Sequence, residues 1–411
     1  MKFWLNDYSM NSIFPYYTEH SCHWKLDQQI VFLNHGSFGS TPSPVLNLQA
    51  AMRQQMESES VRFMIRELYS LYNTSLQRLA AFVGADENNM VFVKNATMGV
   101  NTIFHSLQFN KGDEILIHSH AYGACINTIR WYAERQQLKV VVADVPFPVR
   151  NSDEIIDAFL SCVTKRTRLA LVDHITSATG IIFPVEELVR AMKQKNVEVL
   201  VDGAHAPGQI PLDLEKLQAD YYVGNCHKWI CSPKGSGFLY VMPDKQKLIA
   251  PLQISHHFDA PVSKEKFWRG QFFWPGTDDY TAYCCVGAAI DYFENLWPSG
   301  WPGIMQHNRA LALEGRKILA NKLHTDLPAP DEMIANLGTV YLSDCDLPPY
   351  GFNYISPLQE MLFSKYKIEV PVLTFNREKP RQWVRIATQM YNSAEQISYL
   401  ADALSEIKQQ G

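Results

Sequence analysis

Three short segments of this 411-residue chain carry side chains whose types and spacing bear on catalysis. The first, Lys94-Asn95-Ala96-Thr97-Met98-Gly99, follows the apolar run Val91-Phe92-Val93 and opens a helical pattern. A helix start offers unpaired backbone N–H groups, and with the Thr97 hydroxyl these suit a phosphate. The second, Asp202-Gly203-Ala204-His205, follows Val197-Glu198-Val199-Leu200-Val201. A carboxylate at a strand end, followed by small residues, lets a flat ligand approach the backbone. The third, Asn225-Cys226-His227-Lys228-Trp229, precedes the turn Lys234-Gly235-Ser236-Gly237. Burial lowers a lysine pKa and makes the amine a nucleophile for Schiff-base chemistry.

Taken singly, each segment has a plainer explanation. Thr97 is then a helix cap, Asp202 a turn residue and Lys228 a surface lysine. Taken in order they describe a phosphate site, an acid and an imine-forming lysine. That is the set needed to hold pyridoxal 5′-phosphate, with the acid keeping the pyridine nitrogen protonated so that the ring accepts electrons. Tyr122, past the end of a strand at 114–118, is placed to cover the ring face.

The elements that must position these groups alternate along the chain. Strands are expected at 91–93, 114–118, 139–143, 168–174, 197–202 and 237–242, with helices at 98–107, 124–137, 152–162 and 185–195 between them. Alternation of this kind predicts βαβ units and a mostly parallel sheet. The nearly continuous apolar run 197–201 fits a strand covered on both faces. In such sheets ligands sit at the carboxyl ends of the strands, where the first two segments fall. After about residue 288 the pattern changes to a long amphipathic stretch at 303–322, short strands at 338–342, 368–373 and 383–387, and a terminal helix at 394–409. The expected organisation is a large domain at 45–288, a smaller α+β domain at 289–411, and a segment 1–44 packing across both.

Composition narrows the function classes. Hydrophobic residues are 46% and charged residues 19%, which fits a packed globular chain and excludes general disorder. The net charge of −5 and the lack of a long basic run argue against nucleic acid as partner. No apolar run approaches the roughly 18 residues of a membrane span. The N-terminus does not read as a signal peptide, so the eight cysteines are expected to be reduced thiols in the cytoplasm. His256, His257 and Asp259 lack further ligands at zinc-like spacing, so no metal is expected. No G-x-G-x-x-G follows a strand, which sets aside a dinucleotide-binding dehydrogenase.

Six segments together carry a resemblance. They are Phe32-Leu33-Asn34-His35-Gly36-Ser37-Phe38-Gly39, Lys94-Asn95-Ala96-Thr97, Asp173-His174-Ile175-Thr176-Ser177-Ala178-Thr179-Gly180, Asp202-Gly203-Ala204-His205, His227-Lys228 and Trp274-Pro275-Gly276-Thr277. Arg385-Ile386-Ala387 and Tyr391-Asn392 extend the match. In order and spacing the chain resembles the class V aminotransferases of fold type I, and within them the isopenicillin N epimerase-like branch. The resemblance implies a large domain with a mostly parallel seven-stranded sheet sandwiched by helices, plus the smaller α+β domain. It implies Lys228 as Schiff-base lysine and α-proton base, Asp202 at the pyridine nitrogen, and His205 and Ser177 near the ring hydroxyl. Tyr122 stands where relatives stack a His or Trp. Ala96, Thr97, Asn225 and His227 would hold the phosphate, and Thr277 would reach the phosphate of the other subunit, implying a homodimer. Asn34 and His35 would line the substrate side, and Arg385 would grip a substrate α-carboxylate through its planar fork. Arg269 is a second candidate for an acidic substrate group.

The implied reaction begins with α-proton removal from an amino acid or amino-acid-derived substrate. Reprotonation on the other face makes an epimerase, loss of a β-substituent a C–S lyase, and protonation at the cofactor carbon an aminotransferase. A desulfurase is disfavoured, because Cys345, the only cysteine of the smaller domain, has acidic neighbours that oppose a thiolate.

Overall fold

The computed structural model describes residues 15–259, 267–345, 355–375 and 380–410. The first 14 residues of the expected N-terminal segment lie outside them. Twelve strands are assigned: β1 (Val31–Phe32), β2 (Met90–Val93), β3 (Glu114–His118), β4 (Lys139–Ala143), β5 (Thr167–Asp173), β6 (Glu198–Gly203), β7 (Tyr221–Asn225), β8 (Gly237–Val241), β9 (Leu337–Asp344), β10 (Ile368–Glu369), β11 (Val372–Phe375) and β12 (Arg381–Ala387). Strands β2 to β8 form one seven-stranded sheet in the order β2-β8-β7-β6-β5-β3-β4. Only β8 runs against the others. The fold class is therefore the expected one.

Burial explains the strand sequences. Leu169 and Leu171 of β5 join one core with Ile115, Leu200 and Val223. Ala170 and Val172, their alternate neighbours, join the core on the opposite face with Leu116, Val199 and Val201. Each strand must be apolar on both sides because helices cover both faces. The pattern of residues alone missed β7, a five-residue strand containing Gly224 and ending in Asn225. Gly224 is required there, since a Cβ would strike the Phe238 ring on β8.

The other five strands among the described residues form two smaller sheets. β9 and β11 flank β12 in an antiparallel sheet. The single strand expected at 368–373 is two: β10 pairs with β1, and β11 pairs with β12. Pro371 separates them, because it brings no N–H to a ladder. The helix Gly300–Leu323 packs against the helix Ala394–Gln410 and against β9. The expected division at 288/289 falls inside the helix Val286–Leu296, whose Ala289, Ile290 and Phe293 belong to the core beneath the large sheet.

The N-terminal segment ties the two sheets together. β1 adds to β10, and Asn34 bridges to Ala387. Gly39 then passes under the residues that follow β7. Its φ is +69°, and a Cβ there would run into the His227 carbonyl and lie 2.9 Å from that of Lys228. Both contacts are backbone, so neither can move cheaply. Gly39→Ala is expected to cost on the order of 2 kcal/mol or more in unfolding free energy, from strain at positive φ and overpacking together. Denaturant unfolding at constant m-value checks this.

Candidate active site

The carboxyl ends of β2, β3, β5, β6 and β7 and the start of β8 meet at one edge of the large sheet. The cavity there is lined by Asn95, Ala96 and Thr97 after β2, Tyr122 after β3, Asp173 and Ser177 from β5 and beyond it, Asp202 and His205 from β6 and beyond it, and Asn225, His227 and Lys228 from β7 and beyond it. Ser37 and Phe38 of the N-terminal segment close it. Nine of the thirteen site residues expected from the sequence are thus brought together. The other four, Asn34, His35, Thr277 and Arg385, lie off this lining.

Lys228 is the centre. Its Nζ lies 2.9 Å from His205 Nε2. Its carbonyl accepts from His35 Nε2 at 3.0 Å. Burial lowers the amine's pKa to about 8, partly opposed by the Asp202 charge. Asp202, the penultimate residue of β6, lies directly beside Asp173 of β5, with which it is in register. Its Oδ1 accepts from the Ala204 N–H at 3.0 Å, and its Oδ2 accepts from the Cys125 thiol at 3.2 Å. Burial and the neighbouring Asp173 push it up to about 6. Asp173 is buried against His118 Nε2 at 3.1 Å, and burial raises its pKa well above the carboxylate range. Two carboxyl groups this close hold one charge more easily than two.

Asp173 and Cys125 were not singled out from the sequence. Asp173 had a signal, since it ends a strand in the same way as Asp202. Cys125 had none, because its contact depends on how the helix Gly123–Gln136 lies on the sheet.

The phosphate-type corner is built from a helix start. In the helix Ala96–Ser106, Asn95 caps by accepting from the Met98 N–H at 2.8 Å. The Ala96 N–H, expected to meet a phosphate, donates to Asn225 Oδ1 at 2.9 Å. Asn225 thereby joins β7 to the helix start, and Thr97 faces the cavity beside it. His227 Nδ1 donates to the Ser236 carbonyl at 2.7 Å, and burial lowers its pKa to about 4.

Arg385, on β12, is almost fully buried. It donates through Nη1 to the Ser177 carbonyl and through Nη2 to Ser37 Oγ at 3.4 Å. Among the described residues its Nε has no partner, and no carboxylate lies within ion-pair distance. A buried guanidinium held only by neutral groups is suited to an anion brought from outside. The donor set fits pyridoxal 5′-phosphate: an acid, a buried amine and a helix start converge on one cavity.

Two expectations differ in position, that for Asn34 and His35 and that for Arg269. Asn34 and His35 do not line the cavity. Asn34 donates to Glu369 and accepts from Ser37, while His35 is spent on Tyr391 and the Lys228 carbonyl. Both are drawn inward because β1 is zipped onto β10, which leaves Ser37 and Phe38 at the cavity. Thr277 is exposed and lies outside the lining, on a segment held by a Lys94–Asp278 ion pair of 2.5 Å. Arg269 is bound by Asn73 and Asn88 away from the cavity, so it is no rival to Arg385.

The buried amine has a consequence for stability. Lys228 has a lower pKa folded than unfolded, so its cost is full below about pH 8 and fades as pH rises toward 10.5. Lys228→Met in the cofactor-free protein is expected to be more stable at pH 7 by on the order of 3 kcal/mol, with the gain vanishing above about pH 10.5. Unfolding at several pH values measures it.

Comparison with known proteins gives the same picture. The model of the family "Aminotransferase class-V" matches residues 40–348. The chain is 30% identical to the probable L-cysteine desulfhydrase, chloroplastic, of Arabidopsis thaliana, over 94% of this chain and 84% of that protein. It is 31% identical to the isopenicillin N epimerase of Amycolatopsis lactamdurans, over 93% and 96%. A solved structure of a C-DES mutant with glycine covalently linked to its PLP cofactor superposes with a TM-score of 0.76 at 22% identity, covering 92% of this chain and 96% of that one. The chain belongs to the class V aminotransferase family, and its cofactor is pyridoxal 5′-phosphate.

Proposed function

We propose that this protein removes the α-proton of an amino acid or amino-acid-derived substrate in an isopenicillin N epimerase-like reaction. The observation that carries the reading is the pairing of a half-buried Lys228 amine, its pKa lowered, with a buried Arg385 that lacks a carboxylate partner among the described residues. Pyridoxal 5′-phosphate, when bound, supplies an aldehyde that captures the substrate amine and a ring that accepts the electrons left by proton removal.

The chain's own groups divide the remaining work. Lys228 would form the link to the cofactor and, as a free amine, would take the α-proton, the epimerase outcome then requiring reprotonation on the opposite face. Asp202 would hold the ring nitrogen's proton. His205 and Ser177 would serve the ring hydroxyl, and Tyr122 would cover the ring. Thr97, Ala96, Asn225 and His227 form the phosphate corner, where the Ala96 N–H acts through Asn225. Arg385 binds the substrate carboxylate, while Asn34 and His35 support that side by fixing Ser37 and the lysine backbone. The exposed position of Thr277 supports a homodimer in which it serves the partner's cavity.

A second reading, C–S lyase, is supported by the desulfhydrase relatives at equal identity. Aminotransfer is the further outcome of the same first step. No helix among the described residues is long and apolar enough to cross a membrane. The absence of any disulfide among the described cysteines supports a reducing, cytoplasmic setting.

Incubation of the loaded enzyme with L-amino acids and cysteine conjugates in D₂O separates the outcomes. α-Deuterium with D-isomer and no pyruvate is expected for the epimerase. Pyruvate with released thiol replaces that reading by the lyase, and absence of any α-exchange overturns both. Arg385→Ala is expected to weaken substrate binding by about 1.5–3 kcal/mol, the worth of a charge-assisted pair. An unchanged KM would remove Arg385 from the carboxylate site.

A further inference from the structure

Trp229 follows the lysine directly and is almost fully buried. Its backbone lies where a Cβ on Gly208 would strike it, and its ring lies 3.3 Å from where a Cβ on Gly36 would stand. The ring also packs against His35 at 5.0 Å. Held this way, its indole Nε1 faces His205 Nδ1 at 3.3 Å. An indole nitrogen can only donate. His205 must therefore present a lone pair at Nδ1, and the neutral ring carries its proton at Nε2. That atom lies 2.9 Å from Lys228 Nζ. A ring N–H pointing there needs an amine with a free lone pair. An ammonium would need the opposite tautomer, whose Nδ1–H would oppose the indole N–H.

We propose that Trp229 is a positioning residue that locks His205 in its Nε2–H tautomer, so that His205 donates to Lys228 and holds the amine neutral and nucleophilic. The inference rests on reading Lys228 as the imine-forming lysine and adds the group that prepares it. The other groups facing the amine do not enforce this state by themselves. Asp202, Asp173 and Cys125 favour the charged form, and Arg385 opposes it. His227 is also near, but its Nδ1 proton is spent on Ser236. The Trp229–His205 pair is the arrangement that selects by hydrogen-bond direction.

The first test needs neither cofactor nor mutation of Trp229. In ¹⁵N-histidine-labelled full-length protein at neutral pH, His205, assigned by its loss in His205→Gln, is expected to show a protonated Nε2 and a bare Nδ1. A proton on Nδ1, or on both nitrogens, overturns the proposal. The second test uses Trp229→Phe, which keeps a ring and removes the N–H. The pH profile of borohydride trapping of pyridoxal 5′-phosphate on Lys228 is expected to move upward by roughly one pH unit, a tenfold loss of neutral amine at a given pH. His205→Gln, which keeps a donor amide, is expected to leave the midpoint low. An unmoved midpoint in Trp229→Phe overturns the proposal. Failure of trapping on Lys228 in the unmodified protein would instead sink the assignment of the lysine, so the two failures are distinguishable.

Discussion

Lys228 brings an ionisable amine to a half-buried position in the cavity, and much of the surrounding structure answers that partial desolvation. A charged lysine is expensive there, so its pKa falls. The cost is limited by a carboxylate on one side and hydrogen bonds on the other. Around the lysine, His35 fixes the carbonyl, His205 meets the amine, and Gly39 yields its side-chain volume to the backbone. Stability is given up at this lysine, the trade expected if the proposed imine chemistry needs an uncharged amine there.

The second constraint is electrostatic and follows from the sheet. Parallel neighbours in register place Asp173 beside Asp202 at the ends of adjacent strands. Two buried carboxyls then compete for charge, and the hydrogen-bond donors decide between them. Asp202 takes a backbone N–H and a thiol, whereas Asp173 has burial with His118 beside it. Asp202 is therefore the more readily ionised of the pair, with Asp173 held neutral. The role proposed for Asp202, holding a proton on a ring nitrogen, would need that difference.

The third is connectivity. The cavity draws on residues from Ser37 to Lys228, and Arg385 reaches it from a separate sheet through Ser177 and Ser37. The short pairing of β1 with β10 makes this possible, since it anchors the N-terminal segment against the second sheet before the segment turns under Lys228. The same pairing draws Asn34 and His35 inward and leaves Ser37 at the cavity.

The sequence by itself determined the fold class and the cofactor, and it singled out most of the side chains that the structure gathers at one cavity. Apolar runs alternating with helical patterns dictate a parallel sheet, and chemistry at strand ends is legible because strand ends are legible. Asp202 directly follows an apolar run, and Thr97 stands four residues past another. The sequence was weaker where the signal was interrupted or shared: β7 reads Tyr221-Tyr222-Val223 before Gly224 and Asn225 break the apolar run, and Pro371 alone divides what reads as one strand. Tertiary structure alone decided which side chains face the cavity and which support it. Asn225 reaches the Ala96 N–H, Cys125 reaches Asp202, and Trp229 reaches His205 through contacts between residues from 24 to 129 positions apart. Hydrogen-bond direction depends on where a neighbouring element places its donor, and no local pattern of residue types encodes that placement.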